Sequence, residues 1–279
     1  MQSTSAGPAF GIRLASGNVM FRSLNVAATG MVAQETKLDT IANNLANANT
    51  AGYKRQNAEF EDLLYQNVRA ATPNAMGGAA PSGTQVGSGV RVVTTSRAFA
   101  QGSIQQTGNP LDIAVEGAGF LSVTRESGEI SYTRAGNLKV DAQGRLCTND
   151  GLSVEPPITV PTDTTSVSIA SDGTVSALTA GQRAPTQLGQ LQIVMFPNPN
   201  GLTALGHNLY TATQASGEPI PGMPGTEGRG TILQGALEGS NVEMVSEMVG
   251  LIRTQRAYEI NSKVISAADE MLRNATQVR

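Results

Sequence analysis

Residues 244–272 read MVSEMVGLIRTQRAYEINSKVISAADEML, and a period of seven runs through this stretch. Large side chains recur at Met244, Leu251, Tyr258, Ile265 and Leu272. On an α-helix this spacing places the side chains along one stripe, which favours packing against a partner helix. The stretch therefore predicts a long C-terminal helix over residues 242–276 with one apolar stripe.

A second stripe with the same period lies near the start of the chain. Leu24, Met31, Leu38 and Leu45 are seven apart, and Ile41 belongs to the same face. We predict a helix over residues 21–48, which ends where Asn47–Gly52 supplies residues that tolerate the left-handed conformation. The two stripes together form the predicted assembly seam: Leu24, Met31, Leu38, Ile41, Leu45, Met244, Leu251, Tyr258, Ile265 and Leu272.

Two arrangements of these helices are compatible with the pattern. They can pack between copies of the chain, as in a coiled-coil polymer, or they can form a hairpin within one chain. We favour the polymer and expect both helical ends to become ordered only against sister chains.

Between the helices the pattern changes to short β-type runs separated by turn residues. Predicted strands cover residues 90–95, 112–116, 120–124, 130–133, 138–140, 167–170, 174–177 and 191–196. Turns every eight to twelve residues or so are typical of antiparallel sheets. The fold class is therefore α+β, with long terminal helices that pair as a coiled coil and a central, mostly antiparallel β body.

These patterns predict four parts of the chain. Residues 1–19 form an extension without fixed structure, and Met20 is a candidate for the native start. Residues 20–52 and 240–279 are the paired terminal helices. Residues 53–89 form a linking arm and loop, rich in Gly, Pro and Ala after residue 70. Residues 90–239 are the β-rich domain.

Composition excludes several classes of function. The net charge is −3 and Lys and Arg are not clustered, so the basic surface of a nucleic-acid-binding protein is missing. The single cysteine, Cys147, excludes an internal disulfide, and we expect it to be buried. Residues 1–19 lack the apolar stretch of a secretory signal, and no run of about 18 apolar residues predicts a membrane span.

The sequence contains little that would indicate catalysis. Gly117-Ala-Gly119 continues directly into a predicted strand, so a tight turn is a better interpretation than a dinucleotide fingerprint. His207 is the only histidine and stands without a nearby acid or cysteine. We therefore expect no enzyme activity, no catalytic residues, no cofactor and no metal site.

Several separate motifs resemble one family. Ile41–Arg55 reads IANNLANANTAGYKR, Gln255–Ile265 reads QRAYEINSKVI, Gly117–Val123 reads GAGFLSV and Tyr132–Leu146 reads YTRAGNLKVDAQGRL. These stretches are similar, in this order, to signatures of the bacterial flagellar rod and hook axial proteins. The motif residues taken from this resemblance are Asn43, Asn44, Asn47, Asn49, Gly52, Arg256, Tyr258 and Asn261.

Within the family, FEDLLYQ at Phe60–Gln66 and PSGTQVGSGV at Pro81–Val90 look most like the distal rod branch. The resemblance implies a structural subunit of the basal body that forms a stiff helical homopolymer across the periplasm and transmits torque. Its implied partners are further copies of itself, proximal rod subunits, hook subunits, the P- and L-ring bushing and the flagellar type III export apparatus. Export would need no cleavable signal, and residues 65–90 would brace neighbouring subunits.

Other interpretations stay open at this point. A proximal rod or hook subunit is the nearest alternative. A β-rich adhesin or glycan-binding protein is a third possibility, although the chain has no Trp and few other aromatic residues with which to build a binding platform.

Overall fold

The computed structural model describes residues 9–69, 84–182 and 184–277. Two long helices flank twenty short strands, and each strand pair whose register is defined is antiparallel. The predicted α+β class with a mostly antiparallel β body is therefore confirmed. The chain divides into two compact units, residues 1–43, 56–96 and 245–279 in the first and residues 44–55 and 97–244 in the second.

The first unit contains most of both helices and four strands. Helix α1 spans Ala9–Ala46 and helix α2 spans Met244–Gln277. Strands β1 (Gln56–Asp62) and β4 (Val90–Arg97) pair with each other, as do β2 (Gln66–Arg69) and β3 (Thr84–Val86). The predicted linking arm therefore begins as strands, and most of its Gly- and Pro-rich loop, residues 70–83, lies outside the described residues.

Helix α1 begins earlier than predicted. Residues 9–19 are helical and are not the extension without fixed structure that their composition predicts, and residues 1–8 lie outside the described part. The physical reason is that no proline follows Pro8 until Pro73, while Phe10 and Leu14 have helical i,i+4 spacing.

The second unit is the β body. Its strands are β5 (Ile104–Gln106), β6 (Ile113–Glu116), β7 (Phe120–Thr124), β8 (Ile130–Thr133), β9 (Leu138–Val140), β10 (Leu146–Thr148), β11 (Ser153–Glu155), β12 (Thr164–Ile169), β13 (Thr174–Thr179), β14 (Thr186–Gln190), β15 (Ile193–Met195), β16 (Thr203–Gly206), β17 (Leu209–Thr211), β18 (Ile220–Gly222), β19 (Thr231–Gln234) and β20 (Ala236–Glu238). A 3₁₀ turn, Pro199–Gly201, precedes β16.

Nine of these strands form one sheet with the order β16-β17-β8-β7-β11-β10-β9, to which β15 and β18 are added through β7. Strand β7 pairs with β8 along one edge and shares its other edge between β11 and β15. Strands β12-β13-β14 form a second sheet, while β19 pairs with β6 and β20 with β5. Strand β7 is therefore the centre of the β body.

The β body buries its large side chains in two clusters. One consists of aliphatic residues, among them Leu121, Leu146, Leu191 and Ile193. The other is aromatic, and Phe120, Tyr132, Phe196 and Tyr210 meet edge to face at centroid distances of 4.8–6.0 Å. Cys147 is buried, as predicted.

Candidate assembly surface

Helices α1 and α2 contact each other through very small residues. A Cβ atom placed on Gly30 would lie 3.0 Å from Nδ2 of Asn261, and one on Gly250 would lie 3.4 Å from Cδ1 of Ile41. Between these contacts α1 advances by eleven residues while α2 runs back by eleven, so the helices are antiparallel. Pairing as a regular coiled coil stays a prediction.

The buried line of α2 differs from the predicted stripe. Glu247, Thr254 and Ala268 are buried, and half-buried Asn261 completes their spacing of seven. Each predicted residue from Leu251 onward follows one of these four residues by four positions. It therefore lies at the flank of the contact between the two helices. Leu251, Ile265 and Leu272 are half-buried, whereas Met244 and Tyr258 are exposed.

On helix α1 too, the buried residues are mostly not the predicted ones. From Phe21 onward the buried residues of α1 are Ala27, Ala33, Thr40, Ile41 and Asn44. Of the predicted residues on α1, Ile41 is buried, while Leu24, Met31, Leu38 and Leu45 are half-buried. The close approach of the helices requires small side chains, which places the larger aliphatic ones at the edge.

Many large apolar side chains of the helices therefore face solvent. On α2 they include Val245, Met248, Val249, Ile252, Ile260 and Met271, and on α1 they include Phe21 and Val32. Val245 is 70% exposed and Val32 is 61% exposed. A helix with apolar residues on more than one face normally lies between several neighbours. The helical unit thus presents an apolar surface to which no part of the described chain is bound.

The motif after α1 closes the end of the helix. The hydroxyl of Tyr53 donates to Oδ1 of Asn44 at 3.1 Å, and the hydroxyl of Thr50 donates to Oδ1 of Asn47 at 3.2 Å. Gly52 has φ = +72°, and its N–H donates to the carbonyl oxygen of Glu238 at 2.8 Å. These contacts match the expected role in helix termination.

The remaining motif residues are largely accessible. Asn43 and Asn49 are exposed at the end of α1, and Arg256 is exposed on α2. Among the described residues, no ion pair or side-chain hydrogen bond involves Arg256. This leaves its guanidinium group available for a partner.

A buried ion triad that the sequence does not predict lies in the β body. Nζ of Lys54 is 2.6 Å from Oε1 of Glu238, and Nη1 of Arg134 is 3.0 Å from Oε2 of the same carboxylate. Lys54 and Glu238 are fully buried and Arg134 nearly so. The residues are far apart in the sequence, so no local pattern could have revealed the triad.

Backbone groups form further hydrogen bonds with the side chains of the triad. Lys54 donates to the carbonyl of Ala100 at 2.8 Å, Arg134 donates to that of Gly117 at 2.7 Å, and the N–H of Gly102 donates to Glu238 at 2.9 Å. Burial lowers the pKa of Lys54 from its ordinary value, while the hydrogen bond and charge of Glu238 oppose this shift. The triad joins the segment after α1 to the strand that precedes α2.

The motifs that were rejected as catalytic occupy ordinary structural positions. Gly117 (φ = +113°) and Gly119 (φ = +127°) form the turn between β6 and β7, as predicted. His207 is exposed, and its Nδ1 lies 3.4 Å from Oδ2 of Asp150. Within residues 9–69, 84–182 and 184–277, no three His, Cys, Asp or Glu side chains are grouped so that they could hold a metal ion. No helix in these ranges has the length and apolarity to span a membrane.

Three protein-family models match parts of the chain. The model described as "flagella basal body rod protein" matches residues 24–54, and "flagellar hook protein FlgE/F/G D1 domain" matches residues 114–177. The model "flagellar basal body rod FlgEFG protein C-terminal" matches residues 233–278. The matches thus include α1 from residue 24 onward, the centre of the β body and α2.

Curated relatives extend the similarity to nearly the whole chain. The flagellar basal-body rod protein FlgG of Buchnera aphidicola subsp. Acyrthosiphon pisum is 46% identical over 260 residues, which is 93% of this chain and 100% of the relative. FlgG of Caulobacter vibrioides is 45% identical over 92% of this chain and 99% of its own length. The rod protein FlgF of the same organism is 32% identical over 92% of this chain and 98% of its own length.

Proposed function

This chain belongs to the flagellar basal-body rod protein family, and from that premise we propose that it is a structural subunit of the distal rod. One observation carries the proposal: identity of about 45% extends over nearly the full length of relatives named as rod proteins FlgG. Within Caulobacter vibrioides the identity is 45% to FlgG and 32% to FlgF, so this chain is more similar to FlgG than to FlgF, which favours the distal rod. The family is a structural one and not a family of enzymes.

The helical unit is the surface through which the subunit polymerises. Large apolar side chains, such as Val245 and Ile252, are exposed on α2 although they belong to a long, well-formed helix. Burial of such side chains between copies would stabilise the polymer by about 1.5–3 kcal/mol for each one fully buried. A heterologous interface of this kind builds an open helical filament and not a closed dimer.

The remaining expectations follow from the resemblance. Proximal rod subunits and hook subunits would bind the two ends of the shaft, the P- and L-rings would surround it, and the type III export apparatus would deliver the chain. The β2–β3 pair supports the bracing role of residues 65–90, because it holds the two ends of the Gly- and Pro-rich loop together. Deletion of residues 71–83 is expected to give a bendable shaft, which electron microscopy of isolated basal bodies can detect.

The test of polymerisation uses a bacterium in which this chain replaces the resident rod subunit. Val245→Asp places a charge on the exposed apolar face and should abolish rods and swimming, while the unfolding of the β body stays unchanged. Ser262→Asp, at an exposed polar position of the same helix, is the matched control and should assemble normally. Normal rods with Val245→Asp would contradict the role of α2. Leu251→Asp, at the flank of the helix contact, should also prevent assembly.

The predicted disorder of the helical ends before assembly is a separate part of the proposal. Hydrogen exchange on dilute, unassembled protein should be fast in α1 and α2 and slow in the β body. Full protection of both helices would show that contacts within one chain are sufficient to order them.

A further inference from the structure

An apolar groove runs along one side of the helical unit. Its volume is about 800 Å³. Apolar side chains dominate its lining, which includes Val26, Ala27, Val86, Val90 and Val264. One wall is α1 and the other is the segment that contains β3 and the start of β4. The groove begins where Gly30 and Asn261 bring α1 and α2 close together, so it continues directly from the contact between the helices.

One charged side chain, Arg22, lines the groove as well. Nη2 of Arg22 is buried and has no hydrogen-bond partner. Among the described residues, no carboxylate lies within ion-pair distance of this guanidinium group. Arg22 as a whole is half-buried, and further burial of an unpaired cation is costly. The groove therefore favours an occupant that brings apolar side chains and a carboxylate.

The segments of this chain that lie outside the described residues do not provide a side-chain carboxylate. Residues 1–8 and 70–83 contain neither Asp nor Glu. The same is true of Arg183 and of residues 278–279. A side chain from one of these segments could fill apolar volume, but it could not neutralise Arg22.

The outer face of α2 offers apolar side chains and a carboxylate. At 100° per residue, Ile252 and Glu259 lie on the side of α2 opposite Gly250 and Asn261, and Ile260 lies about a quarter turn away from that contact. The exposed basic residues Arg256 and Lys263 lie between Ile252 and Ile260 on this face. Ile252 is 50% exposed and Ile260 is 60% exposed. Within the described residues, Glu259 has neither an ion pair nor a side-chain hydrogen bond.

We propose that, in the assembled protein, this groove binds the outer face of α2 from a second copy of the chain. Ile252 of one copy enters the apolar groove of its neighbour, Ile260 packs along the rim of the groove, and Glu259 pairs with Arg22. The inference rests on the proposed function, because it specifies which two surfaces of neighbouring subunits meet.

Charge reversal tests the pair in cells where the chain replaces the resident rod subunit. Arg22→Glu and Glu259→Arg should each reduce the number of assembled rods about tenfold or more, as expected when one partner of a desolvated charge pair is lost. The double variant R22E/E259R should restore assembly, because it reverses the pair. Glu270→Arg, three turns further along the same exposed face, is the matched control and should assemble normally.

Disulfide cross-linking gives a second readout. Within one chain, the antiparallel contacts place Val26 about thirteen residues, or roughly 20 Å, from Ile252 along α2, so these positions cannot be joined within a copy. Oxidised rods that carry Val26→Cys and Ile252→Cys should therefore contain covalent dimers and longer chains. Cys147 is buried, and rods without the added cysteines should remain uncross-linked.

The outcomes separate this inference from the proposed function. If the unaltered chain builds no rods, the proposed function is wrong. If it builds rods and both charge reversals assemble normally, the groove contact is wrong while the rod assignment stands. If Arg22→Glu alone prevents assembly and the double variant does not restore it, the groove has a different occupant and the inference is overturned.

Discussion

The β body and the helical unit place their large apolar side chains in opposite ways. In the β body, Leu121, Ile193 and Tyr210 are at most 1% exposed. In the helical unit, the buried positions of α1 and α2 are mostly small or polar, while Val245 and Ile252 face solvent. The β body is therefore complete within one chain, whereas the helices keep their apolar surface for a neighbour. The same chain thus contains a β body that buries its own apolar residues and helices whose apolar residues remain accessible to other copies.

The largest effect is expected from breaking the ion triad of the β body. Glu238→Ala leaves Lys54 and Arg134 buried without a compensating carboxylate, which should lower the free energy of unfolding by about 3–5 kcal/mol. Glu126→Ala, at an exposed position in the turn after β7, is the control and should have almost no effect. Chemical denaturation measures the free energy of unfolding of the β body in both variants. A loss below 1 kcal/mol for Glu238→Ala would mean that the triad is dispensable.

A direct comparison of the two units uses two aliphatic truncations. Leu121→Ala removes a fully buried side chain and should cost about 2–5 kcal/mol of stability. Ile252→Ala removes a half-exposed one and should change the stability of the isolated chain by less than about 0.5 kcal/mol. The second variant should instead reduce rod assembly. Equal losses of stability in denaturant unfolding would show that the helices are packed as firmly as the β body.

A smaller effect is expected at the junction between α1 and the β body. Gly52→Ala introduces a Cβ atom at φ = +72°, where it would lie 2.7 Å from the backbone nitrogen of Ala135. Backbone strain and this contact should together cost about 1–3 kcal/mol. Gly151→Ala has a similar φ of +81° but no atom within 4 Å of the new Cβ, so it measures the strain alone. If the two variants unfold at the same denaturant concentration, the close contact is relieved at no cost.

The smallest effect concerns a surface turn and depends on pH. Asp141 accepts hydrogen bonds from the backbone N–H of Arg145 at 2.7 Å and of Gln143 at 2.9 Å. These bonds, above all that from Arg145, lower the pKa of the Asp141 carboxyl.

Because the pKa of Asp141 is lower in the folded than in the unfolded state, the ionised carboxylate stabilises the fold above the unfolded-state pKa of about 3.9. This stabilisation is lost as the pH falls through the lower pKa of the folded state. Asp141→Asn should therefore decrease Tm slightly at pH 7, and the difference should shrink below about pH 4. Asp163→Asn, whose side chain makes no such bonds, is the control. A Tm difference that does not vary with pH would refute this explanation.

The sequence predicted the elements with strong patterns and missed those without them. Strands such as Phe120–Thr124, Ile130–Thr133 and Leu138–Val140 were predicted with their observed bounds because turn residues delimit them. In the β body, strands β5, β10, β11, β14 and β16 to β20 were missed. All of these except β14 have only three or four residues, so their own pattern shows little of a period of two. The C-terminal helix was placed within two residues of its observed ends.

By itself, the sequence determined that the chain has two long helices, a β body between them and the signatures of one family, because periodicity, turns and motifs are local properties. Only the tertiary structure decided which helix face is buried. A period of seven fits several faces of a helix, and the closest approach selects the smallest side chains, so the contact passes through Gly30, Gly250 and Thr254 and not through the leucine stripe. Likewise, the ion triad of Lys54, Arg134 and Glu238 arises only when segments as far as 184 residues apart fold together.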